Sequence, residues 1–440
     1  MDYKARARDM LTAWKKDNYY FGIGVLDKIG DLAQRAGKTT LLVGGRFGAG
    51  KWIEPILDTV KTSLKNKNIS ILDIIKGAQP NSPKEDVYRI ANQISKLKPE
   101  SIIAVGGGST IDAVKAAAVL SALKSDDIEG YFGVGFVTQK LQEEKKELPS
   151  LVAVQTAASS GAHLTKYSNI TDPAKAQKKL IIDEAVVPGF ALFDYTAIAH
   201  APHSLIADGA LDGMSHCIEV VCGATGKPFF EKTMEIAEAG ITLIVENLPR
   251  ALQNSADNNV IESIGLGTDL GGYAIMIGGT NFAHLFSFSL VDKIAHGRAC
   301  AIGDPYVLVF FAPAIQPQLK LFGRIFAQAG YIDGNIEKCS GRELGMVVAG
   351  GMMKFLKKFK FPTTFSEVGI GKEYKERILN ATKIPQLWSK LEQAPVSLIM
   401  RKSDGEVDAE ATEENIDRYM GPLIDAVISG DLNKIKNFDN

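Results

Sequence analysis

SIIAVGGGSTIDAVKAAAVL, residues 101–120, decides the fold. SIIAV is an apolar, β-branched run that reads as a strand buried on both faces. It runs straight into Gly106-Gly107-Gly108-Ser109, and residues 110–120 follow as a helix of small side chains. A strand that ends in glycines and hands over to a helix N-terminus presents backbone amides without Cβ shielding, which suits a pyrophosphate. The spacing is not that of the G-x-G-x-x-G fingerprint, so a standard Rossmann turn is not what it specifies.

The pattern extends in both directions. Residues 38–44 (KTTLLVG) read as a strand, 52–64 as a helix, and 69–75 as a second strand. Ser82-Pro83-Lys84-Glu85 has the form of a capping box with proline in the first turn. Val87, Ile90, Ala91, Ile94 and Leu97 then recur at helical spacing. LVAVQ (151–155) and residues 190–193 are further strands. Alternation of this kind calls for right-handed crossovers and a mostly parallel sheet. From about Pro202 the pattern turns helical, over 205–221, 231–247, 260–276, 339–359, 384–392 and 415–428. The expectation is a Rossmann-like α/β dinucleotide-binding domain over residues 1–198 and an all-α C-terminal domain over 199–440.

Composition narrows the function. Lys and Arg total 50 against 51 for Asp and Glu, a balance that argues against a phosphate-tracking nucleic-acid surface. Four cysteines in 440 residues are too few for a disulfide scaffold and fit a reducing cytosol. MDYKARARDMLTAWKKDNYY at the start lacks an apolar core segment, so no secretory leader is expected. No run of 18 uncharged apolar residues occurs, so no membrane span is expected either.

Two further glycine signals accompany the triple-glycine turn. Residues 45–52 (GRFGAGKW) nearly fit the phosphate loop G-x4-G-K-S/T, but Trp52 stands where a small hydroxyl must bind Mg²⁺. A P-loop nucleotide-binding protein without redox activity is the rival reading from a different class; the plainer one is a turn near a dinucleotide's adenosine end. Gly44-Gly45-Arg46 closes the first strand where NAD-preferring folds place a carboxylate on the ribose hydroxyls. A missing carboxylate beside a cation favours the 2′-phosphate of NADP over NAD, with Gly45 and Arg46 as the contact residues.

All six histidines lie between positions 163 and 296. Asp212 and His216 stand four apart on a helix and share a face, with Glu219 three further on. His284 sits in a helical segment and His296 in a loop. Three histidines and one aspartate from three segments suit a borderline divalent cation such as Fe²⁺ or Zn²⁺. Taken singly, each is an ordinary core or surface residue; beside a dinucleotide turn the set becomes one chemistry, a metal with a hydride carrier.

These residues resemble a known family, the iron-containing (group III) alcohol dehydrogenases, within the superfamily of glycerol dehydrogenase and dehydroquinate synthase. GGGSTIDAVK (106–115) matches G-G-G-S-x-x-D-x-A-K; QTAASSGAHLTKYSNITD (155–172) resembles P-T-T-A-G-T-G-S-E-x-T. FDYT (193–196) stands where D-P-x-L is usual, DGMSHCIEVV (212–221) resembles D-A-x-x-H-A-I-E-A, and AHGRACAI (295–302) resembles P-H-G-x-x-N-A. The resemblance implies an oxidoreductase that moves hydride between NAD(P) and an alcohol or carbonyl polarised by Fe²⁺ or Zn²⁺. It maps metal ligation and catalysis onto Asp212, His216, His284 and His296. It maps the cofactor onto Gly106, Gly107, Gly108, Ser109 and Asp112, with Thr156, Ala157 and Ser159 nearby. It also implies a homodimer or larger homo-oligomer in the cytoplasm, with a small alcohol or aldehyde as substrate and neither nucleic acid nor membrane as partner.

Departures from the pattern are informative. Phe288 stands where a second histidine is usual near substrate, His163 replaces a glutamate, and Cys300 replaces an asparagine. Without the relay histidine, the proton's exits are water, a ribose hydroxyl, His200 or His203. The alternative activities are a polyol or phosphorylated-polyol dehydrogenase, and a degenerate member that binds nucleotide without turnover.

Overall fold

The computed structural model describes residues 2–45, 51–159, 161–175 and 177–437. Among the described residues there are nine strands: β1 (Tyr19–Gly22), β2 (Thr39–Gly44), β3 (Ser70–Ile75), β4 (Ser101–Gly106), β5 (Gly133–Val134), β6 (Ser150–Gln155), β7 (Tyr167–Asp172), β8 (Gln177–Ile182) and β9 (Phe190–Asp194). Six form a sheet in the order β1-β9-β6-β4-β2-β3, and every pairing in it is parallel. The other three form a small sheet ordered β5-β8-β7.

One compact unit comprises residues 8–209 and 254–265. β4 lies at its centre, paired with β2 on one side and β6 on the other, and all six of its residues are buried. Helices on both faces make that burial complete, which is why the strand reads as a continuous apolar run. The helix Gly108–Leu123 begins inside the glycine turn, two residues before the apolar pattern announces it. Its small side chains let it pack closely: a Cβ on Gly106 would lie 2.7 Å from the Thr110 Cβ, and one on Gly77 would lie 2.5 Å from the Thr110 Oγ1.

Three features of this unit differ from the sequence expectation. The capping box does not form, because the Ser82 hydroxyl donates to the Ser109 carbonyl at 2.7 Å, and Pro83 caps the helix Lys84–Leu97 without a side-chain bond. β1 extends the sheet by one edge strand. The β7–β8 antiparallel hairpin adds a pair in a stretch for which the sequence named no element.

The second unit, residues 2–7, 210–253 and the described part of 266–440, is helical throughout. The expected helices appear as His203–Gly223, Phe230–Ala251, Asn258–Ile277, Gly341–Lys358, Trp388–Glu392 and Ala409–Ser429. His296–Phe311 is a further helix that starts at the residue expected in a loop. The His203–Gly223 and Asn258–Ile277 helices approach closely at glycine: a Cβ on Gly271 would lie 2.5 Å from the Gly213 carbonyl oxygen. Asn258–Ile277 is, among the described residues, the one helix long and apolar enough to cross a membrane, and 78% of that stretch is buried inside the protein, as a core helix is.

Candidate functional site

Two helices and one short connection of the helical unit bring the histidines together. Asp212, Ser215, His216 and Glu219 repeat at helical spacing on His203–Gly223. His296, Cys300 and Asp304 do the same on His296–Phe311, so each set faces one way. His284 comes from the six-residue helix Phe282–Ser287, whose start is capped by Asn281. One ligand atom from each of Asp212, His284, His296 and Cys300 falls within 4.8 Å of the others. His216 lies beside this group, its ring stacked on that of His284 at 4.7 Å, and its Nδ1 is buried without a hydrogen-bond partner.

Hydrogen bonds fix which nitrogen each imidazole offers. Glu219 Oε1 stands 2.9 Å from His284 Nδ1 and also accepts from the His284 amide at 3.1 Å. The other Glu219 oxygen accepts from the Asn281 amide. A carboxylate flanked by amide donors accepts, so His284 Nδ1 carries a proton and Nε2 is the nitrogen left to face Asp212. Ser287 Oγ donates to the His284 carbonyl at 2.6 Å, so it accepts from His296 Nδ1 at 2.8 Å. His296 Nε2 is then the nitrogen turned toward Asp212.

Both Nε2 atoms lie near one oxygen. His284 Nε2 lies 3.6 Å from Asp212 Oδ1, and His296 Nε2 lies 3.7 Å from the same atom. His284 Nε2 is buried without a hydrogen-bond partner. Neutral imidazole nitrogens gathered round a carboxylate at such range are held together by a cation among them. Donors about 2.0–2.2 Å from one tetrahedral ion sit roughly 3.3–3.6 Å apart, so these residues fit a divalent metal. Burial, then the neighbouring His284 and Lys390, hold His216 neutral, well below its usual range, as a metal ligand must be.

The surroundings are buried and polar. Burial pushes the Cys300 thiol up, and Asp212, Glu219 and Asp304 add to this. Burial likewise raises Asp304, which accepts a hydrogen bond from Ser215. Lys390, drawn down by burial to about 8, donates to Thr280 and sits 5.6 Å over the Phe288 ring. Phe288 stacks on His296 at 6.2 Å, so the position of the usual second histidine is apolar. The His296 side chain is 23% exposed against 4% for Asp212, which leaves the open flank on the His296 side.

The α/β unit carries the glycine turn. Gly107, Gly108 and Ser109 are half-buried at the start of the Gly108–Leu123 helix. Ser109 Oγ accepts from the Asn81 amide at 3.0 Å. Thr156, Ala157 and Ser159 follow β6; Gln155 Nε2 bonds the Ala157 carbonyl at 2.7 Å and the Ser159 hydroxyl at 3.3 Å. Gln155 Oε1 is buried with no partner and lines a cavity of about 240 Å³ together with Trp52, Pro55, Asp194, Thr196 and His200. The cavity lies at the carboxyl ends of β6 and β9, where open α/β sheets bind ligands.

Asp112 faces elsewhere: its Oδ2 accepts from the amide and side chain of Asn169, each at 3.1 Å. Lys115 donates to the Thr165 and Tyr167 carbonyls at 2.8 and 2.7 Å. The two residues tie the helix to β7. His163 is buried against Tyr19, whose hydroxyl is 3.0 Å from His163 Nε2. Gly45 has a positive φ of 95° at the end of β2, while Arg46 and the rest of the near-phosphate loop through Gly50 lie outside the described residues.

Comparison with known proteins gives a consistent picture. The model for iron-containing alcohol dehydrogenase matches residues 16–195, and that for the C-terminal part of the Fe-containing alcohol dehydrogenase family matches 206–388. An NAD-dependent methanol dehydrogenase of Bacillus methanolicus is 26% identical over 355 residues, covering 80% of this chain and 88% of that protein. An NADPH-dependent butanol dehydrogenase of Clostridium saccharobutylicum is 27% identical over 369 residues, covering 82% and 87%. The solved NADH-dependent butanol dehydrogenase A of Thermotoga maritima is alike in fold, with a TM-score of 0.72 at 23% identity over 91% of this chain and 96% of that one.

Proposed function

Because this chain belongs to the iron-containing alcohol dehydrogenase family, we propose that Asp212, His216, His284 and His296 hold its catalytic cation and that Gly106, Gly107, Gly108 and Ser109 hold the pyrophosphate of its nicotinamide cofactor. The chain is an NAD(P)-linked oxidoreductase of that family. Its substrate is a small alcohol or the matching aldehyde or ketone. Residues 1–198 serve as the dinucleotide-binding domain and 199–440 as the helical catalytic domain.

The observation that carries this reading is the convergence of His284 Nε2 and His296 Nε2 on Asp212 Oδ1, at 3.6 and 3.7 Å. When bound, the cation supplies Lewis acidity at the substrate oxygen and the nicotinamide supplies or takes the hydride. Glu219 holds the His284 tautomer and Ser287 holds that of His296, so both rings are oriented before any ligand arrives. Phe288 keeps one wall of the site apolar. With no imidazole at position 288, the side chain there would take no part in moving the alcohol proton, which water, a ribose hydroxyl of the cofactor, His200 or His203 would have to accept. A phosphorylated polyol would need cations near the metal, and Lys390, which donates to Thr280 and acts on His216, is a cation of that neighbourhood.

On the cofactor side, Thr156, Ala157 and Ser159 flank the pyrophosphate turn, and Gln155 Oε1 gives the cavity a buried acceptor. The absence of a carboxylate at Gly44-Gly45, with Arg46 next in sequence, supports NADP over NAD. Arg46→Ala is expected to cut the NADPH-over-NADH ratio of kcat/KM by roughly tenfold or more; an unchanged ratio rejects Arg46 as the phosphate contact. We assign the protein to the cytoplasm as a homodimer or larger, to be checked by light scattering. The deciding experiment is NAD(P)H turnover on a panel of short alcohols and aldehydes with Fe²⁺ or Zn²⁺ supplied separately. Asp212→Ala and His296→Ala each abolish metal retention and turnover; full activity in either metal-free variant refutes the reading.

A further inference from the structure

We propose that Cys300 is itself a metal ligand, and that its sulfur makes this site select zinc over iron. The inference rests on the reading of Asp212, His216, His284 and His296 as the nest of residues that hold the cation and adds one donor to them.

Three observations carry it. Cys300 follows His296 by one helical turn on His296–Phe311, so both side chains face the same way. Its Sγ belongs to the group of four donor atoms that lie within 4.8 Å of one another. The site it faces contains His284 Nε2, a buried nitrogen with no hydrogen-bond partner. An asparagine would offer only a neutral amide at this place. A thiol offers a soft donor, and a thiolate adds to the advantage that zinc already holds over ferrous iron in the order of divalent-ion affinities. On binding, the Sγ–H bond breaks as the Sγ–metal bond forms, and the proton passes to buffer; each ion bound thus releases one proton from Cys300.

Cobalt(II) is the probe, because it takes the same donors as zinc and reports them by colour. The metal-free protein is titrated with Co²⁺ alone, and the ultraviolet and visible spectra are recorded. Ligation by Cys300 gives a near-ultraviolet sulfur-to-cobalt charge-transfer band alongside the visible ligand-field bands. Cys300→Ser and Cys300→Asn lose the first and keep the second. Ligand-field bands in the wild type without a sulfur band overturn Cys300 as a ligand and leave the nest intact. A wild-type protein with neither band overturns the nest itself. A sulfur band that survives in both variants belongs to another cysteine and overturns Cys300 as a ligand, and a wild-type spectrum without the band does so even if neither variant folds. In competition between Zn²⁺ and anaerobic Fe²⁺, Cys300→Asn lowers the zinc-to-iron affinity ratio by about tenfold or more; an unchanged ratio overturns the selectivity.

Discussion

Glu219 touches His284 through its side chain and two amides through the same carboxylate, which makes it the residue that decides what His284 can offer. Glu219→Gln replaces one accepting oxygen with an NH₂ that must face an amide N–H, at His284 or Asn281. Metal affinity is expected to fall on the order of 10–100-fold with the fold retained, measured by competition with a chromophoric chelator; unchanged affinity would remove Glu219 from the site. At this scale the sequence is partly legible. Asp212 and His216 announce themselves by spacing, and Glu219 continues the same face. Cys300 carries a signal too, four residues after His296, but which donors converge depends on how the two helices and the Phe282–Ser287 segment approach, and no local pattern encodes that. His216 shows the converse: a strong spacing signal that lands beside the tightest group.

Among the elements, the helix His203–Gly223 passes so near the loop after β6 that a Cβ on Gly209 would lie 1.7 Å from the Ala158 carbonyl oxygen. Gly209→Ala must displace that loop, which holds Ala157 and Ser159. The expected result is a loss of about 1–3 kcal/mol in stability together with weaker NAD(P)H binding, read by denaturant unfolding and by fluorescence titration. Normal values of both would mean that the loop is free to yield. The helix Gly108–Leu123 gives a second test. Burial, opposed by Asp112, draws the Lys115 ammonium down to about 8, against about 10.4 in an unfolded chain. Between those values the unfolded state binds more protons, so stability rises with pH through that window. Relative to Lys115→Met, which has nothing to titrate there, the wild type gains up to about 3 kcal/mol across it. Denaturant unfolding at the two ends of the window checks this, and a constant difference contradicts it. The parallel strands were readable because burial on both faces leaves them uniformly apolar. The β7–β8 hairpin was not, since YSNITD and QKKLII carry Asn, Asp and Lys, and their pairing comes from partners across the chain. His296–Phe311 hides for a local reason: glycine follows His296, and Pro305, a residue that usually breaks helices, lies within it.

For the whole molecule, the order of alternating strands and helices followed by helices alone was legible from residue 38 onward, and it is the order observed. The leading edge strand β1 was not, because YYFG is too short to show a period. A ligand that binds only the folded chain stabilises it by mass action. Removing the metal with a chelator is therefore expected to lower the melting temperature of the wild type and to leave that of His296→Ala unchanged; equal shifts in both would place the metal elsewhere. The most direct measurement is anomalous X-ray diffraction from crystals of the metal-loaded protein, collected at the absorption edge of the bound ion. One peak per chain, within ligand distance of Asp212, His284 and His296, is the expected result. No peak there, or a single strong peak at another place, would contradict the gathering of these side chains around one cation.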